Sequence, residues 1–258
     1  MENKKDYKPV QSIERIFQIL EILAMNPQGL SLLTLSEKTG LPSSTVHRLL
    51  HTLYALGYTE WRGNNSSPYK LTLRLFEYGN HSLNDRPFIR SVISFLERLA
   101  KELTASVYLY IPDGNDILVA AKAGTYSTRN EPLPGERIPM YCCSAGKSIL
   151  SLYSVEELIK TGESFNFIPF TPNTIQSLDE LLAAREKDHK NGYSLSKEEY
   201  IVGLYSLSIP LINSDGSPFG ALGITVSPQQ FSSKPLMSWV APLKQYAESI
   251  QTLYPGIL

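Results

Sequence analysis

The amino-acid sequence predicts an α+β chain in two parts, a short helical segment closed by a hairpin and a longer segment of strands interspersed with helices. Three observations carry this. Apolar residues recur at helical spacing in three closely successive runs before residue 57. From Tyr58 to Leu73 the pattern switches to period two across a polar tip. Beyond Leu103, alternating segments meet at two Asp-Gly dipeptides, Asp113-Gly114 and Asp215-Gly216, each a hairpin signal.

The first run, Val10 to Met25, places Ile13, Ile16, Phe17, Leu20 and Leu23 on one helix face, and Asn26-Pro27-Gln28-Gly29 ends it. A helix of about two turns follows from Leu30 to Thr39, closed by Gly40. Leu41-Pro42-Ser43-Ser44 opens a third, with proline suited to the first turn and the serines to capping. Its apolar stripe is Val46, Leu49, Leu50, Leu53 and Leu56. Ser44, His47, Arg48 and His51 remain on the opposite face, at helical offsets 0, 3, 4 and 7. The period-two segments Tyr58–Trp61 and Tyr69–Leu73 then flank a tip running from Arg62 to Pro68. Helix, helix, short turn, helix and hairpin within about 75 residues is the order of a winged helix-turn-helix.

A helix from Arg74 to Leu83 leads through Asn84-Asp85-Arg86-Pro87 into another ending near Leu103, and the residue before proline makes this break the boundary. Strands are expected at Ser106–Ile111, Asp116–Ala121, Tyr205–Asn213 and Pro218–Val226. Helices are expected at Ala145–Tyr153, near Val155, after a capping box at Ser177-Leu178-Asp179-Glu180, and from Lys234 to Leu253. The second part is therefore α+β.

With 258 residues, 42% hydrophobic and 19% charged, the composition is that of an ordinary globular protein. A formal net charge of −1 argues against a broad basic coat for nucleic acid or membrane and leaves local patches open. No stretch approaches the roughly 18 apolar residues of a spanning helix, and residues 1–15 lack the apolar middle of a secretory signal. Only Cys142 and Cys143 occur, which gives no disulfide framework and fits a reducing compartment. A cytoplasmic location is expected.

Ser43, Ser44, Thr45, His47, Arg48 and His51 supply donors near a helix start and one long side chain for base edges, and Arg62 and Lys70 add cations on the wing. A solvated helix face explains the same spacing; the preceding helix and following wing favour DNA contact. His47 and His51 lack further ligands for a metal set, and neither a metal nor a cofactor is expected. Ser144-Ala145-Gly146-Lys147 is formally the Ser-x-x-Lys of penicillin-recognising acyl enzymes, but Lys160-Thr161-Gly162 follows too closely and Ser-Asp-Asn is missing, so no catalytic residue is assigned. The small residues Cys142, Cys143, Ser144 and Ala145 at a helix start leave backbone N–H groups approachable by a small carboxylate, or merely permit close packing. Glu198 and Glu199, read as strand neighbours, point to opposite faces, one toward a cavity and one to solvent. Cys142-Cys143 with His189 makes no Cys/His case.

Several motifs in fixed order resemble the IclR type of bacterial transcription regulators, over about Val10 to Leu253. They are Val10-Gln11-Ser12-Ile13-Glu14-Arg15; Gly40 to Leu50; Gly57-Tyr58; Gly135-Glu136-Arg137-Ile138-Pro139-Met140; Ser144 to Lys147; and Gly192-Tyr193-Ser194 leading to Glu198-Glu199 and Gly203. The resemblance implies a winged helix-turn-helix over residues 1–73, a dimerising linker helix over 74–85 and a GAF-like mixed α/β effector-binding domain over 86–258. It also implies a homodimer or dimer of dimers on double-stranded operator DNA, and a small organic acid as effector. The effector is expected beside Cys142, Cys143, Ser144 and Ala145, with Ser206, Gly223 and Thr225 on strands and with Ser196 and Glu198; some relatives carry an acidic residue where this chain has Ser196. The expected function is a ligand-responsive transcription regulator, a repressor whose operator affinity the acid sets. An enzyme or stand-alone binding module, with the helical part serving only to dimerise, is the competing class.

Overall fold

The computed structural model describes residues 9–63, 67–84, 87–124 and 130–254, and it divides into two compact units, Met1–Asp85 and Arg86–Leu258. The first unit contains α1 (Gln11–Ala24), α2 (Leu32–Thr39), α3 (Ser43–Ala55), β1 (Thr59–Glu60), β2 (Lys70–Leu71) and α4 (Arg74–Asn84). Ile19, Leu20 and Leu23 of α1, Leu35 of α2 and Val46, Leu49, Leu50 and Leu53 of α3 close on Tyr69 as one core. Leu56, expected in the stripe, lies beyond the last turn of α3 and is 56% exposed.

Local hydrogen bonding shifts the expected starts of α2 and α3. Leu30 exchanges both backbone hydrogen bonds with Tyr69, at 3.0 and 2.8 Å, so it extends the wing sheet and α2 begins two residues later. Ser31 becomes the N-cap, its hydroxyl accepting from Thr34 N–H at 3.2 Å. At α3 the N-cap is Pro42, whose carbonyl takes the N–H groups of Thr45 and Val46. The serines do not cap: Ser43 Oγ donates to Ser36 Oγ of α2 at 3.1 Å, and Ser44 is exposed. β1 and β2 pair antiparallel, Thr59 with Leu71 and Glu60 with Lys70, while Trp61 stacks on Tyr69 at 5.6 Å. Asn64, Asn65 and Ser66, at the expected hairpin tip, lie outside the described residues.

The second unit is a six-stranded antiparallel sheet between helices. It is built from α5 (Pro87–Leu103), β3 (Ser106–Asp113), β4 (Asp116–Ala123), β5 (Arg137–Pro139), α6 (Ser144–Leu150), α7 (Val155–Gly162), α8 (Leu178–Asn191), β6 (Ser194–Lys197), β7 (Tyr205–Ile212), β8 (Pro218–Val226), α9 (Pro228–Ser232) and α10 (Met237–Leu253). Strand order is β5-β4-β3-β8-β7-β6, and both Asp-Gly hairpins form. The period-two alternation divides the sheet into unlike faces. Val107, Leu109, Leu207, Ile209, Leu222 and Ile224 are buried on the face covered by α5 and α10. The face covered by α6 carries Tyr108, Tyr110 and Ala221, then a row of small residues, Ser196, Ser206, Ser208, Gly223 and Thr225.

β5 and β6 are too short, and β6 too polar, for their period to stand out in the sequence. β6 also ends at Lys197, so Glu198 and Glu199 lie in a bend and not on a strand, and the expectation of opposite faces is replaced by a wound segment with Glu198 at φ +60°. α6 stops at Leu150, short of Tyr153, and α10 starts at Met237, three residues later than expected, after a bend through Lys234 and Pro235 that follows α9. At α8 only half the expected capping box forms: Ser177 Oγ accepts from Glu180 N–H, while Glu180 Oε2 accepts from Gln176. The complete reciprocal box is at Ser154 and Glu157, at the start of α7.

Candidate ligand pocket and nucleic-acid interface

Because α3 buries its Val46–Leu53 stripe, the opposite side must face solvent, and there Ser44, His47, Arg48 and His51 are all exposed. Thr45 is half-buried, its N–H bonded to Pro42, and Ser43 is held by Ser36. The His47 and His51 rings lie 6.5 Å apart, and among the described residues no group of three or more His, Cys, Asp or Glu could hold a metal. Arg62 is exposed just after β1, while Lys70 is half-buried in β2 opposite Glu60.

In the second unit a cavity lies where the start of α6 meets the small-residue row. Its lining comprises Cys143, Ser144 and Ala145, the strand residues Tyr110, Ile138, Ser196, Ser206 and Thr225, and Pro132, Tyr200, Ile201 and Leu204 from connecting segments. Ser144 Oγ donates to Ser206 Oγ at 2.9 Å and shares a 2.7 Å hydrogen bond with Ser208 Oγ, so α6 is tied to β7 by hydroxyls. Gly223 does not line the cavity as expected. It makes room instead: a Cβ at this position would come within 2.4 Å of Ser208 Oγ. About 30 Å³ is open to the centre of a water molecule, room for little more than water.

The lining holds no Lys, Arg, His, Asp or Glu. Burial raises the Tyr110 phenol, against a hydrogen bond from Thr225, and pushes the Cys143 thiol up to about 12. Cys143 is thus a protonated thiol at neutral pH, and its sulfur caps α6 by accepting from Gly146 N–H at 3.4 Å. Cys142 lies outside the lining, fully buried, its thiol raised by burial and donating to the Pro139 carbonyl at 3.3 Å. Glu198 is outside it too, with Oε1 accepting from Gly203 N–H at 2.8 Å. Glu199, expected in part as a solvated charge, is instead largely withdrawn from solvent against Lys147, Oε1 to Nζ 2.6 Å.

The Ser-x-x-Lys spacing does not build an acyl-transfer pair. Ser144 is engaged by Ser206 and Ser208, Lys147 Nζ donates to Glu199 and to the Leu195 carbonyl, and Lys160-Thr161-Gly162 lies in α7. His189 hydrogen-bonds the Ser151 carbonyl at 2.8 Å. The structure thus gathers Cys143, Ser144, Ala145, Ser196, Ser206 and Thr225 of the expected set, and leaves Cys142, Glu198 and Gly223 behind them. Sequence reasoning missed Tyr110, Pro132, Ile138, Tyr200, Ile201 and Leu204, together with the supporting Ser208. Ser208 had a signal, since it stands two residues after Ser206 on a period-two strand.

Comparison with known proteins addresses both regions. The family model described as "IclR helix-turn-helix domain" matches residues 12–63, and that described as "Bacterial transcriptional regulator IclR C-terminal" matches residues 80–252. The HTH-type transcriptional regulator KdgR of Escherichia coli K12 is 29% identical over 242 residues, 93% of this chain and 91% of KdgR. The Transcriptional repressor IclR of the same organism is 26% identical over 251 residues, covering 96% and 91%. An IclR homologue from Microbacterium hydrocarbonoxydans, crystallised with 4-hydroxybenzoate, has the same fold, with a TM-score of 0.76 over 94% of this chain and 98% of that one at 20% identity. The chain belongs to the IclR family, and it is a transcriptional regulator with a DNA-binding helix-turn-helix and a C-terminal ligand-binding domain.

Proposed function

We propose, from the premise of that family membership, that this regulator is a cytoplasmic repressor whose operator affinity is set by a small hydroxylated organic acid held in the cavity at the start of α6. The observation that carries the reading is the convergence of Ser144, Ser196, Ser206 and Thr225, from α6 and three strands, on a cavity whose remaining lining is uncharged. Hydroxyls both donate and accept, so they match a ligand bearing hydroxyl and carboxylate oxygens without an ion pair. Cys143 and Ala145 keep the approach narrow. On this reading residues 1–73 bind DNA, 74–85 link, and 86–258 sense.

Arg48 reads a base edge in the major groove, while Ser43, Ser44, Thr45, His47, His51, Arg62 and Lys70 serve phosphates or flanking contacts. The exposed face of α3 supports this assignment. The protein acts as a homodimer or dimer of dimers, a reading supported by Val10 at the N-cap of α1 and Ile13 and Phe17 on it, each more than half exposed. The acid shifts the population of DNA-binding arrangements through α4, which requires different affinity for the two states.

The test is a titration of upstream DNA against scrambled DNA at several salt concentrations, with and without lactate, gluconate and 4-hydroxybenzoate. A specificity ratio that survives at physiological salt and falls on adding an acid is expected. Arg48→Ala should weaken specific binding by about 1–3 kcal/mol and flatten sequence preference; wild-type affinity in that variant removes the base-reading role. Ser144→Leu should abolish the acid response in a folded protein, and a preserved response moves the ligand elsewhere.

A further inference from the structure

Lys147 closes the Ser144–Lys147 motif, and the ligand-cavity reading gives it no part. It sits one turn beyond Ser144 on α6, is 5% exposed and does not line the cavity. Its ammonium donates to Glu199 Oε1 at 2.6 Å and to the Leu195 carbonyl at 2.9 Å. Glu199 stands at the foot of the segment 198–204, and three residues of this segment, Tyr200, Ile201 and Leu204, form one wall of the cavity. The segment is closed on itself, Glu198 N–H donating to the Leu204 carbonyl at 2.9 Å and Gly203 N–H to Glu198 Oε1 at 2.8 Å. Hydrogen bonds from outside the segment reach its foot, where Thr171 Oγ1 donates to the Glu198 carbonyl and Thr174 Oγ1 to the Glu199 carbonyl, both at 2.6 Å, and further along the Tyr200 ring packs edge-on against Phe170 at 4.9 Å. The tip is untied, with Val202 67% exposed. As it stands the cavity admits little more than water, so a carboxylic acid needs one of its walls to move, and this segment forms one of them.

We propose that the Lys147–Glu199 pair pins a strap, residues 198–204, over the cavity, so that these two side chains govern entry and retention of a small molecule without touching it. They are positioning residues, and the inference rests on reading the cavity as the effector site. A buried ion pair suits the task because removing either partner strands the other charge, which releases the foot of the strap.

Cys143 supplies a reporter, since its thiol lines the cavity, is 7% exposed and reacts only when reached from outside. In the full chain carrying Cys142→Ser, alkylation of Cys143 by iodoacetamide should accelerate about tenfold or more in both Lys147→Met and Glu199→Gln, because labelling tracks the open population. The double variant should be no faster than the faster single one, as expected for one coupled unit. A mere change of local charge gives a different pattern: Lys147 lowers and Glu199 raises the Cys143 thiol, so the two substitutions would then move the rate in opposite directions. General loosening is separated by low urea, to which local opening is insensitive and global unfolding steeply sensitive. Thr174→Val loosens the foot without altering charge and should also accelerate labelling, which keeps the test available if a charge variant fails to fold. Opposite shifts, unchanged rates, additive effects in the double variant or urea-steep labelling each overturn the proposal. Acceleration with no protection of Cys143 by lactate, gluconate or 4-hydroxybenzoate leaves the strap standing and tells against the effector assignment alone.

Discussion

Gly146 shows how closely single atoms set the position of α6. A Cβ there would lie 2.2 Å from the Met140 carbonyl oxygen and 2.3 Å from Met140 Cα, so backbone would have to give way. Gly146→Ala should destabilise the unfolding transition that includes the second unit by about 1–3 kcal/mol, read from denaturant unfolding of the full chain. Asp188 of α8 behaves differently. It is 6% exposed, Oδ2 has no hydrogen-bond partner, and burial raises its carboxyl above the usual range against the opposing pull of Ser194 and Lys147. A raised carboxyl binds its proton more tightly folded than unfolded, so this group costs stability progressively as pH rises from below the ordinary carboxylate range through the raised value. Asp188→Asn should therefore raise the melting temperature at pH 7, with the gain vanishing below about pH 3, where both states are protonated; a constant difference across that range would show that titration is not the cause. Residues of this kind are barely legible in sequence. The small residues Cys143, Ser144 and Ala145 stand out beside a helix start, but Tyr200, Ile201 and Leu204 reach the cavity only because a wound segment folds back, and no period announces that.

At the level of elements, α1, α2 and α3 were legible because each is long enough to repeat its apolar spacing, and the two Asp-Gly hairpins because the turn has a chemistry of its own. The wing was only partly so. Its strands are two residues each, and the backbone pairing of Leu30 with Tyr69, which lengthens the sheet, joins residues 39 positions apart. That pairing ties the segment before α2 to the second strand of the wing, while Arg62 lies exposed just after the first. If the wing contacts phosphate and α3 reads bases, the two elements have different signatures. Arg62→Ala should weaken binding about equally on specific and scrambled DNA and lower the salt slope by about 1, while Arg48→Ala changes mainly the ratio between them. Competition titrations at three salt concentrations separate the two, and a sequence-selective loss in Arg62→Ala would reassign it to base contact.

The whole molecule must also account for the apolar surface that its first unit leaves uncovered. Val10 at the N-cap of α1 and Ile13 and Phe17 on it follow one another at intervals of three and four and are 51%, 53% and 56% exposed, while on α4 Phe76 is 65% and Tyr78 50% exposed. The spacing that predicted α1 as amphipathic assigned Ile13 and Phe17 to the buried face, yet the core takes Ile19, Leu20 and Leu23. An apolar side of this extent is costly to leave in water, and in the homodimer proposed above a second copy of the same surface covers it, with the isologous symmetry that suits a palindromic operator. Pairing also serves affinity, because once one head is bound the second binds at the effective concentration set by the link between them, a gain of roughly 10²–10⁴ with no new base contact. Phe17→Asp combined with Phe76→Asp should therefore shift the protein to monomers in sedimentation velocity at micromolar concentration. Operator affinity should fall by a comparable factor while Ser44, His47, Arg48 and His51 remain untouched. A variant that stays dimeric with full operator affinity would place the pairing surface elsewhere, and one that becomes monomeric yet binds the operator as tightly as before would mean that a single α3 supplies the recognition.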